Sequence, residues 1–327
     1  MQRMNKYVSS ILTVLVLLGT AGGTSLQASP SYTPSPGYTA ESSYASPAGT
    51  LAGFDFDTSG NLYLFRGNSI VKRAPGGSET DLYTFSSDVY GSFLKVKDST
   101  VYFGESSNGS IKSVSTGGGT VTDLGSLGSN YDLAFNSSGQ AFIVANPGWA
   151  GTKIYNLDLV NGTTDEIADI GGYSGPLAFD TSGNLYYGKG SEIISFTGSQ
   201  VNSALGTGTL GETDWSVFAT GLDSIGYFAF DSAGDLFSSS YTGAVTETNN
   251  LGSSNPFGSG TSPSTLRFVP GSGDFETGNP DGGHLYVNTT DWFAGQSTIF
   301  EVTPVPEPAT VILLAGGLFS FLFRRKQ

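Results

Sequence analysis

The chain lacks cysteine entirely and contains a single histidine, His284, among its 327 residues. Without thiols it can form no disulfide bond, no thiolate nucleophile and no cysteine-based zinc site. One imidazole rules out mechanisms that need two, and the sequence offers no Ser-His-Asp set around His284 for serine-based hydrolysis. We interpret His284 as a turn residue that precedes a strand. A glycosidase-type pair of carboxylates stays open, because the sequence does not reveal separations in space.

Basic residues are also scarce. Lysine and arginine total 14 against 28 acidic residues, which gives a formal net charge of −14. The basic residues near the two ends are Arg3, Lys6, Arg324, Arg325 and Lys326. The body between these ends therefore holds nine basic residues against 28 acidic ones, a net charge of −19. Such a body repels nucleic acid, whose phosphates need clustered Lys and Arg, and its acidity favours solubility or association with cations.

Long stretches of helical periodicity are missing from the middle of the chain. In their place, 47 glycines and many Ser, Thr, Asn and Asp residues separate short apolar runs. This is the chemistry of tight turns between short strands. We therefore predict an all-β body.

One short unit recurs along that body. Its clearest copy is LAFDTSGNLY at 177–186, and FDFDTSGNLY at 54–63 repeats it. The other copies are LAFNSSGQAF at 133–142, FAFDSAGDLF at 228–237, the degenerate LKVKDSTVYF at 94–103, and one that an insertion splits between 268 and 284. Alternating apolar residues, an Asp-x-x-Gly-Asn turn and a returning aromatic strand predict a β-hairpin in each copy.

Six such copies predict a six-bladed β-propeller over 38–303, because the turns recur at steps of about 39 to 51 residues and four-stranded blades repeat at about 40–45. Fourth strands are recognisable over 81–85, 121–124 and 215–219. The sixth copy lacks one before Pro304. We predict that a segment near Tyr38 to Tyr44 supplies it and closes the ring, which leaves 29–37 as a Ser/Pro-rich linker. A β-sandwich or a β-solenoid is the structural alternative.

Residues 1–28 have the three parts of an export signal. Arg3 and Lys6 provide the positive start, residues 11–18 (ILTVLVLL) form the apolar run, and Ala28 is the predicted cleavage point after small residues. The apolar run is short for a spanning helix, although a retained membrane anchor is the alternative. The secretion translocon and signal peptidase are therefore predicted partners.

Residues 304–327 form a second sorting element. The motif residues are Val305, Pro306, Glu307 and Pro308. The prolines stop the last strand, and the apolar stretch 311–323 (VILLAGGLFSFLF) can insert into a membrane as a helix. The basic residues that follow stay on the cytoplasmic side of the membrane and fix the orientation of the helix: Arg324, Arg325 and Lys326. The stretch is shorter than a stable span, which suits a temporary anchor; an ordinary tail anchor is the alternative.

This three-part tail resembles the PEP-CTERM sorting signal. The resemblance implies that an exosortase, a membrane-embedded transpeptidase-like enzyme, recognises the tail of a chain exported by Gram-negative bacteria, which often make extracellular polysaccharide. We therefore expect an inner-membrane intermediate with a transmembrane sorting helix, followed by the cell surface or the extracellular matrix of a biofilm.

The hairpin repeat is similar to the NHL and SMP-30-type six-bladed propellers over about 49–303. Relatives of the SMP-30 type hold a central calcium ion with Glu, Asn and Asp, and some hydrolyse lactones. The candidate oxygen ligands here are Asp57, Asp180 and Asp231. They belong to turns of separate blades, where Asp also stabilises the turn itself. We predict no cofactor, and Ca²⁺ is the one candidate ion.

Trp149, Trp215 and Trp292 lie near Gly, Pro, Asp or Thr in predicted loops, where an indole can stack on a sugar ring; partial burial is the alternative. The aromatic residues that follow the repeat turns are predicted to pack between blades instead. We predict a non-catalytic surface module that binds or organises extracellular polysaccharide. The alternatives are a calcium-dependent lactonase or polysaccharide lyase, and a protein-interaction propeller.

Overall fold

The computed structural model describes residues 29–305, apart from positions 48, 88, 273–274 and 276–281. The predicted signal peptide, and the sorting tail from Pro306 onward, lie outside the described residues. The described part of the chain contains 25 strands, one short α-helix and one 3₁₀ turn, so the predicted all-β body is confirmed. No helix within these described ranges is long and apolar enough to cross a membrane.

The strands form six antiparallel sheets that follow one another along the chain. The first two strands are β1 (Tyr32–Pro34) and β2 (Tyr38–Ala45). Blade one contains β3 (Leu51–Phe56), β4 (Leu62–Arg66), β5 (Ser69–Arg73) and β6 (Glu79–Thr84). Blade two contains β7 (Gly91–Lys97), β8 (Thr100–Glu105), β9 (Ser110–Ser115) and β10 (Thr122–Ser126). Blade three contains β11 (Asn130–Phe135), β12 (Ala141–Ala145), β13 (Lys153–Leu157) and β14 (Thr164–Asp169).

The second half of the ring repeats this order. Blade four contains β15 (Leu177–Phe179), β16 (Leu185–Lys189), β17 (Glu192–Phe196) and β18 (Ser216–Ala219), with α1 (Gly198–Ala204) before its last strand. Blade five contains β19 (Ile225–Phe230), β20 (Leu236–Ser240), β21 (Ala244–Thr248) and β22 (Ser254–Gly260). Blade six contains β23 (Pro263–Pro270), β24 (Gly283–Asp291) and β25 (Gln296–Pro304). The first strand of each blade contacts the first strand of the next, and β23 contacts β3. The sheets thus close into a six-bladed propeller, as predicted.

Both ends of the chain close the ring. Strand β2 pairs antiparallel with β25, with Tyr38 opposite Pro304 and Ala45 opposite Thr298. The N–H of Val305 donates to the carbonyl of Gly37 at 2.7 Å. The predicted role of the Tyr38–Tyr44 segment as the fourth strand of blade six is confirmed.

The assignment of 29–37 to a linker does not hold over its whole length. Strand β1 pairs with β22 and adds a fifth strand to the edge of blade five, with Tyr32 opposite Gly260. The Tyr32 side chain is buried among blade-five and blade-six residues that include Phe257. Burial of this aromatic ring explains why a stretch whose Ser and Pro content suggested a linker forms a strand instead. The same burial raises the pKa of the Tyr32 hydroxyl above its usual value.

Two fourth strands and one helix were not foreseen. Strand β14 reads TDEIAD and β22 reads SNPFGSG, compositions that hide the strand pattern because both are outer strands with exposed polar positions. Helix α1 fills the connection to β18, and its capping box joins Thr197 and Gln200. An isolated helix of this length is marginal, and its Val201 is buried in the blade-four core.

The core lies between neighbouring blades. Aromatic residues that follow the repeat turns supply much of it: Tyr63, Phe142 and Phe237 are fully buried. Their counterparts Tyr102 and Tyr186 are partly buried and pack against Phe or Leu side chains of adjoining blades. The predicted packing role of these residues is confirmed.

The turns lie on two opposite faces of the ring, because successive strands of a blade alternate in direction. One face, here called the hairpin face, carries the turns from first to second strands and from third to fourth strands, including those at Asp57, Asp180 and Asp231. The other face carries the turns from second to third strands and the connections between blades. Strand β25 is a third strand, so the chain leaves the ring at Val305 on the hairpin face.

Candidate functional site

The repeat aspartates use their oxygens within their own turns. Asp57 Oδ1 accepts from the N–H groups of Ser59 and Asn61, both at 2.9 Å, and its Oδ2 accepts from Asn61 Nδ2 at 2.7 Å and the Tyr63 hydroxyl at 2.9 Å. Burial opposes ionisation, but these hydrogen bonds outweigh it and lower the pKa of Asp57. Asp180 makes the same set of contacts in blade four. In both turns the carboxylate therefore stabilises the hairpin.

The turn of blade five differs. Asp231 Oδ1 accepts three backbone N–H groups, each at 2.9 Å. Its Oδ2 is buried and has no hydrogen-bond partner, since Asp235 occupies the position of the amide donor found at Asn61 and Asn184. Burial is the main cause that raises the pKa of Asp231, and the charge of Asp235 adds to it.

Buried carboxylates line the central channel instead. Asp55 on β3 is 2 % exposed; its Oδ2 accepts from the N–H of Val96 in blade two at 2.8 Å, and its Oδ1 lies 2.6 Å from Nε of Arg267 in blade six. Asp55 thus links three blades. No repeat pattern pointed to this role, because Asp55 occurs in one copy and its partner Arg267 lies in the split copy.

Asp132 on β11 makes an equivalent set of contacts further round the ring. Its Oδ1 lies 3.0 Å from Nζ of Lys95 in blade two, and its Oδ2 accepts from the N–H of Leu177 in blade four at 3.2 Å. Each inward carboxylate therefore has a cationic partner from the preceding blade and a backbone donor from the next. Because both carboxylates are buried, leaving either of them charged without its cation is costly.

This arrangement does not suit a central calcium ion. The two channel carboxylates, Asp55 and Asp132, are neutralised by Arg267 and Lys95, whose charges repel a divalent cation. Asp57 and Asp180 use both carboxylate oxygens within their turns, and Asp231 uses one of its two. Within the described ranges, no three His, Cys, Asp or Glu side chains are grouped to hold a metal.

Tyrosines close the channel at the end away from the hairpin face. The Tyr131 hydroxyl in blade three donates to the carbonyl of Gly226 in blade five at 2.8 Å and also contacts the Tyr241 hydroxyl. The Tyr131 ring stacks on that of Tyr227, with 5.8 Å between the centroids. Burial raises the pKa of Tyr131 well above its usual value, and the neighbouring Tyr227 adds to the shift. Tyr131 thus bridges two blades that are not adjacent and plugs the channel.

Aromatic side chains are concentrated on the face that this plug closes. Among the described residues, those more than half exposed are Tyr90, Trp149, Tyr173, Tyr241, Trp292 and Phe293. All six lie in second-to-third turns or in connections between blades, and we call this side of the ring the aromatic face. The exposed aliphatic residues Val160 and Leu251 lie in third-to-fourth turns on the hairpin face. The strongly exposed aromatic residues of the described chain therefore lie on one face, and these two aliphatic residues lie on the other.

The loop that carries Trp149 is fixed by hydrogen bonds to one side chain. Trp149 is 78 % exposed and has φ of 62°, a left-handed conformation that is unusual for a bulky residue. Asn146 fixes the loop, because its Oδ1 accepts from the Gly151 N–H at 3.0 Å and its Nδ2 donates to the Gly172 carbonyl at 3.3 Å. The indole is thus displayed by a pinned backbone, and strain of this kind tends to persist at functional sites.

Trp292 is displayed by a different turn. It follows β24 in blade six and is 61 % exposed. Asp291 Oδ1 accepts from the N–H groups of Phe293 and Ala294, both at 2.9 Å, and so fixes the turn. Blades three and six lie opposite each other in the ring, so Trp149 and Trp292 flank the closed channel from opposite sides.

Trp215 belongs elsewhere. It precedes β18 on the outer part of blade four, is partly buried, and packs edge-on against Phe196 with 6.1 Å between ring centroids. Lys189 Nζ lies 4.4 Å from the centre of the indole. The structure therefore brings two of the three tryptophans singled out from the sequence to one face, and leaves the third in the packing of a blade. The other aromatic residues of this face belong to no sequence motif and were not predicted: Tyr90, Tyr173, Tyr241 and Phe293.

His284 lies within a strand and not in a turn as predicted. It is the second residue of β24, and its Nδ1 contacts Glu301 Oε1 on β25. The Tyr286 hydroxyl donates to the same oxygen at 3.1 Å. Strand pairing extends to Gly283 opposite Pro270, so the strand begins before the histidine.

Several solved structures are similar to this ring in fold, and a calcium-binding regucalcin and a gluconolactonase are among them. Regucalcin from Agrobacterium tumefaciens, described as a calcium-binding protein, is 18 % identical over 80 % of this chain and 94 % of its own, with a TM-score of 0.57. A gluconolactonase from Xanthomonas campestris is 18 % identical over 79 % of this chain and 86 % of its own, with a TM-score of 0.57. An auxiliary nutrient binding protein from Bacteroides thetaiotaomicron is 10 % identical over 78 % of this chain and 70 % of its own, with a TM-score of 0.58. At these identities the likeness shows the fold alone.

The particular mark of this chain is at its C-terminal end. Residues 304–326 match the PEP-CTERM protein-sorting motif. The chain therefore carries this sorting signal, and the motif implies an exported protein that an exosortase processes from a membrane-anchored intermediate. No curated protein sequence matches the chain.

Proposed function

We propose that the propeller is a non-catalytic binding module for extracellular polysaccharide, displayed at the cell surface or in the extracellular matrix of a Gram-negative-type bacterium. In this account the translocon exports the chain, signal peptidase cleaves after Ala28, and exosortase processes the tail. The observation that carries the proposal is the placement of all six strongly exposed aromatic residues of the described chain on one face. Aromatic rings offer a flat apolar surface with little conformational entropy to lose, which suits the apolar faces of sugar rings.

The exit point of the chain supports this assignment. Val305 leaves the ring on the hairpin face, directly before the sorting motif. While the tail is held in a membrane, the hairpin face is the side nearer to that membrane. The aromatic face is then directed outward, where a polymer can reach Trp149 and Trp292.

The charge of the body limits the class of polysaccharide that the protein can bind. With nine basic residues against 28 acidic ones between its basic ends, the protein repels polyanions at low ionic strength. Stacking on exposed rings carries no charge requirement. We therefore propose a neutral polysaccharide as the ligand of the aromatic face.

The alternative function, a calcium-dependent lactonase or lyase, has less support. It needs carboxylates that are free to coordinate an ion or to exchange protons. Asp55 and Asp132 are engaged by Arg267 and Lys95 and by backbone donors. A protein-interaction role would place protein on the same aromatic face.

Affinity electrophoresis of the full chain in mild detergent tests the proposal. Native gels are cast without polymer, with neutral hydroxyethyl cellulose, or with acidic alginate. We expect the neutral polymer to retard the protein and alginate to retard it less at low salt. Equal mobility in all three gels would contradict a polysaccharide-binding role.

A further inference from the structure

The open end of the central channel, on the hairpin face, forms a cavity of about 460 Å³ that belongs neither to the aromatic face nor to the repeat turns. All six inner strands contribute to its wall. Its volume lies within the range of small-molecule sites, and the tyrosine plug closes the channel beyond it.

One strand position gives this cavity two unlike sides. In each blade, one inner-strand residue pairs with the aromatic residue of the returning strand. In three neighbouring blades this residue is charged: Arg267 opposite Tyr286, Asp55 opposite Tyr63, and Lys95 opposite Tyr102. In the other three blades it is alanine: Ala134, Ala178 and Ala229.

The alanines leave room above an apolar wall. Phe135, Phe179 and Phe230, each one residue further along, line the cavity on that side. All three residues are partly exposed. A flat or apolar body can lie against them, as ligands do in most small-molecule sites.

The charged side presents donors. Arg267, Lys95 and Lys97 line it, so three of the nine basic residues of an acidic body meet at one cavity. Their side chains are 44 %, 23 % and 31 % exposed, whereas Asp55 and Asp132, which pair with Arg267 and Lys95, are almost fully buried.

Two of these cations, Arg267 and Lys97, keep unused hydrogen-bonding capacity towards the cavity. Arg267 uses Nε on Asp55, and no hydrogen bond from its two terminal nitrogens to a described residue is found. The end of the guanidinium fork is the part that grips a carboxylate through both oxygens. Lys97 pairs at 3.4 Å with Asp98, a carboxylate that is 85 % exposed, so a ligand can replace this partner at little cost.

We propose that this cavity binds a small ring compound that carries one carboxylate, with the carboxylate on Arg267 and Lys97 and the ring against the phenylalanine wall. A uronic acid and an aromatic acid share this chemistry. The proposal stands apart from polysaccharide binding, because it uses the opposite face and other residues.

Isothermal titration of the full chain in mild detergent tests this site. The probes are D-glucuronate and benzoate, and the matched neutral compounds are D-glucose and benzyl alcohol. We expect saturable binding of at least one acid and none of its neutral counterpart. Binding of glucuronate alone identifies a sugar acid as the ligand type, and binding of benzoate alone identifies an aromatic acid. Binding of neither acid, or equal binding of an acid and its neutral partner, would overturn the proposal.

Variants locate the binding. Lys97→Gln and Arg267→Lys both keep a partner for buried Asp55, and each should weaken acid binding at least fivefold. Lys112→Gln removes a lysine of the third strand of blade two that pairs with exposed Asp123 and should leave binding unchanged. If the first two variants bind like the unmodified chain, the site lies elsewhere. Loss of acid binding in a Trp149→Ala/Trp292→Ala variant would also contradict the assignment, since it would place the acid on the aromatic face.

Discussion

Asp231 and Asp235 face each other across the turn of blade five, where blades one and four place an aspartate opposite an asparagine. In blade four, Asn184 Nδ2 donates to Asp180 Oδ2 at 2.8 Å, and Asn184 Oδ1 accepts from the Gly198 N–H at 3.0 Å. In blade five, Asp235 Oδ1 accepts from the Asn250 N–H at 2.8 Å, so it reproduces the second contact but not the first. The missing donor leaves Asp231 Oδ2 buried and unpaired.

Asp235→Asn should therefore stabilise the protein at neutral pH. The amide supplies the absent donor and keeps an oxygen for Asn250, and it removes a like charge. We expect a gain of about 1 kcal/mol in the free energy of unfolding, measured by urea denaturation. Asn184→Asp creates the reverse change in blade four and should destabilise by a similar amount. A neutral or negative effect of Asp235→Asn would show that the turn does not need this donor.

The gain from Asp235→Asn should depend on pH. The folded state raises the pKa of Asp231, so ionisation of Asp231 lowers stability as the pH rises from its unfolded pKa, about 3.9, through its folded pKa. The difference between variant and wild type should be largest near pH 7 and should shrink below about pH 4. Asp57 has the opposite effect on stability, because its pKa is lowered in the folded state. The stability that ionised Asp57 contributes is lost as the pH falls through its folded pKa. Denaturation at several pH values checks both signs.

The inner ion pairs should matter far more than the exposed one. Asp132→Asn removes the negative charge that pairs with Lys95. It also replaces one carboxylate oxygen with an NH₂ group, which cannot accept a hydrogen bond from a backbone N–H. We expect a loss of about 3 kcal/mol. Asp98→Asn, in an exposed pair with Lys97, keeps a residue that tolerates the positive φ of 53° at that position and should change stability by less than about 0.5 kcal/mol. Similar losses for the two variants would contradict the role assigned to Asp132.

Strand β2, which closes the ring, should contribute most of the stability that the N-terminal segment provides. A chain that begins at residue 38 loses β1 but keeps the ring closed. A chain that begins at residue 46 also loses β2, which buries Tyr44 and pairs with β25 along its length. We expect the second deletion to cost at least about 3 kcal/mol more than the first and to expose β25 to proteolysis. Equal melting temperatures for the two chains would mean that the ring does not depend on this closure.

Calcium should not stabilise the propeller. A specific ion at a hundredfold over its Kd adds about 2.7 kcal/mol to stability, which shifts the melting temperature of a domain of this size by roughly 5–10 °C. We expect matching melts in excess calcium and in chelator, because Arg267 and Lys95 neutralise the channel carboxylates. A shift of that size in calcium would contradict this account and favour the enzyme alternative.

The repeat made the blades predictable because each hairpin is a local structure. The Asp-x-x-Gly-Asn turn, the alternation before it and the aromatic residue after it all lie within a few residues, and their spacing fixes the blade count. The role of Tyr38–Tyr44 could be inferred from a missing fourth strand. Strand β1 could not, because its pairing with β22 joins residues more than 200 positions apart and rests on the burial of one ring, Tyr32.

The candidate sites were harder to predict for the same reason. Trp149 and Trp292 could be selected as loop tryptophans, but Trp215 has similar neighbours in sequence and packs into blade four. That four further aromatic residues share the face of Trp149 becomes visible only when turns from different blades are placed on one side of the ring. The contact between Asp55 and Arg267 joins the first and last blades, so no local sequence pattern predicts it.

Binding of the Trp149→Ala/Trp292→Ala variant to hydroxyethyl cellulose tests the central claim most directly. Both side chains are mostly exposed, so the double variant should melt like the wild type, and Trp215→Ala serves as a control from outside the aromatic face. Stacking of a nucleobase on an aromatic side chain is worth about 1–3 kcal/mol. With a similar loss for sugar stacking, we expect the dissociation constant to rise at least tenfold in the double variant and to stay unchanged in Trp215→Ala. Equal binding by the double variant and the wild type would contradict the assignment of the aromatic face as the polysaccharide-binding surface.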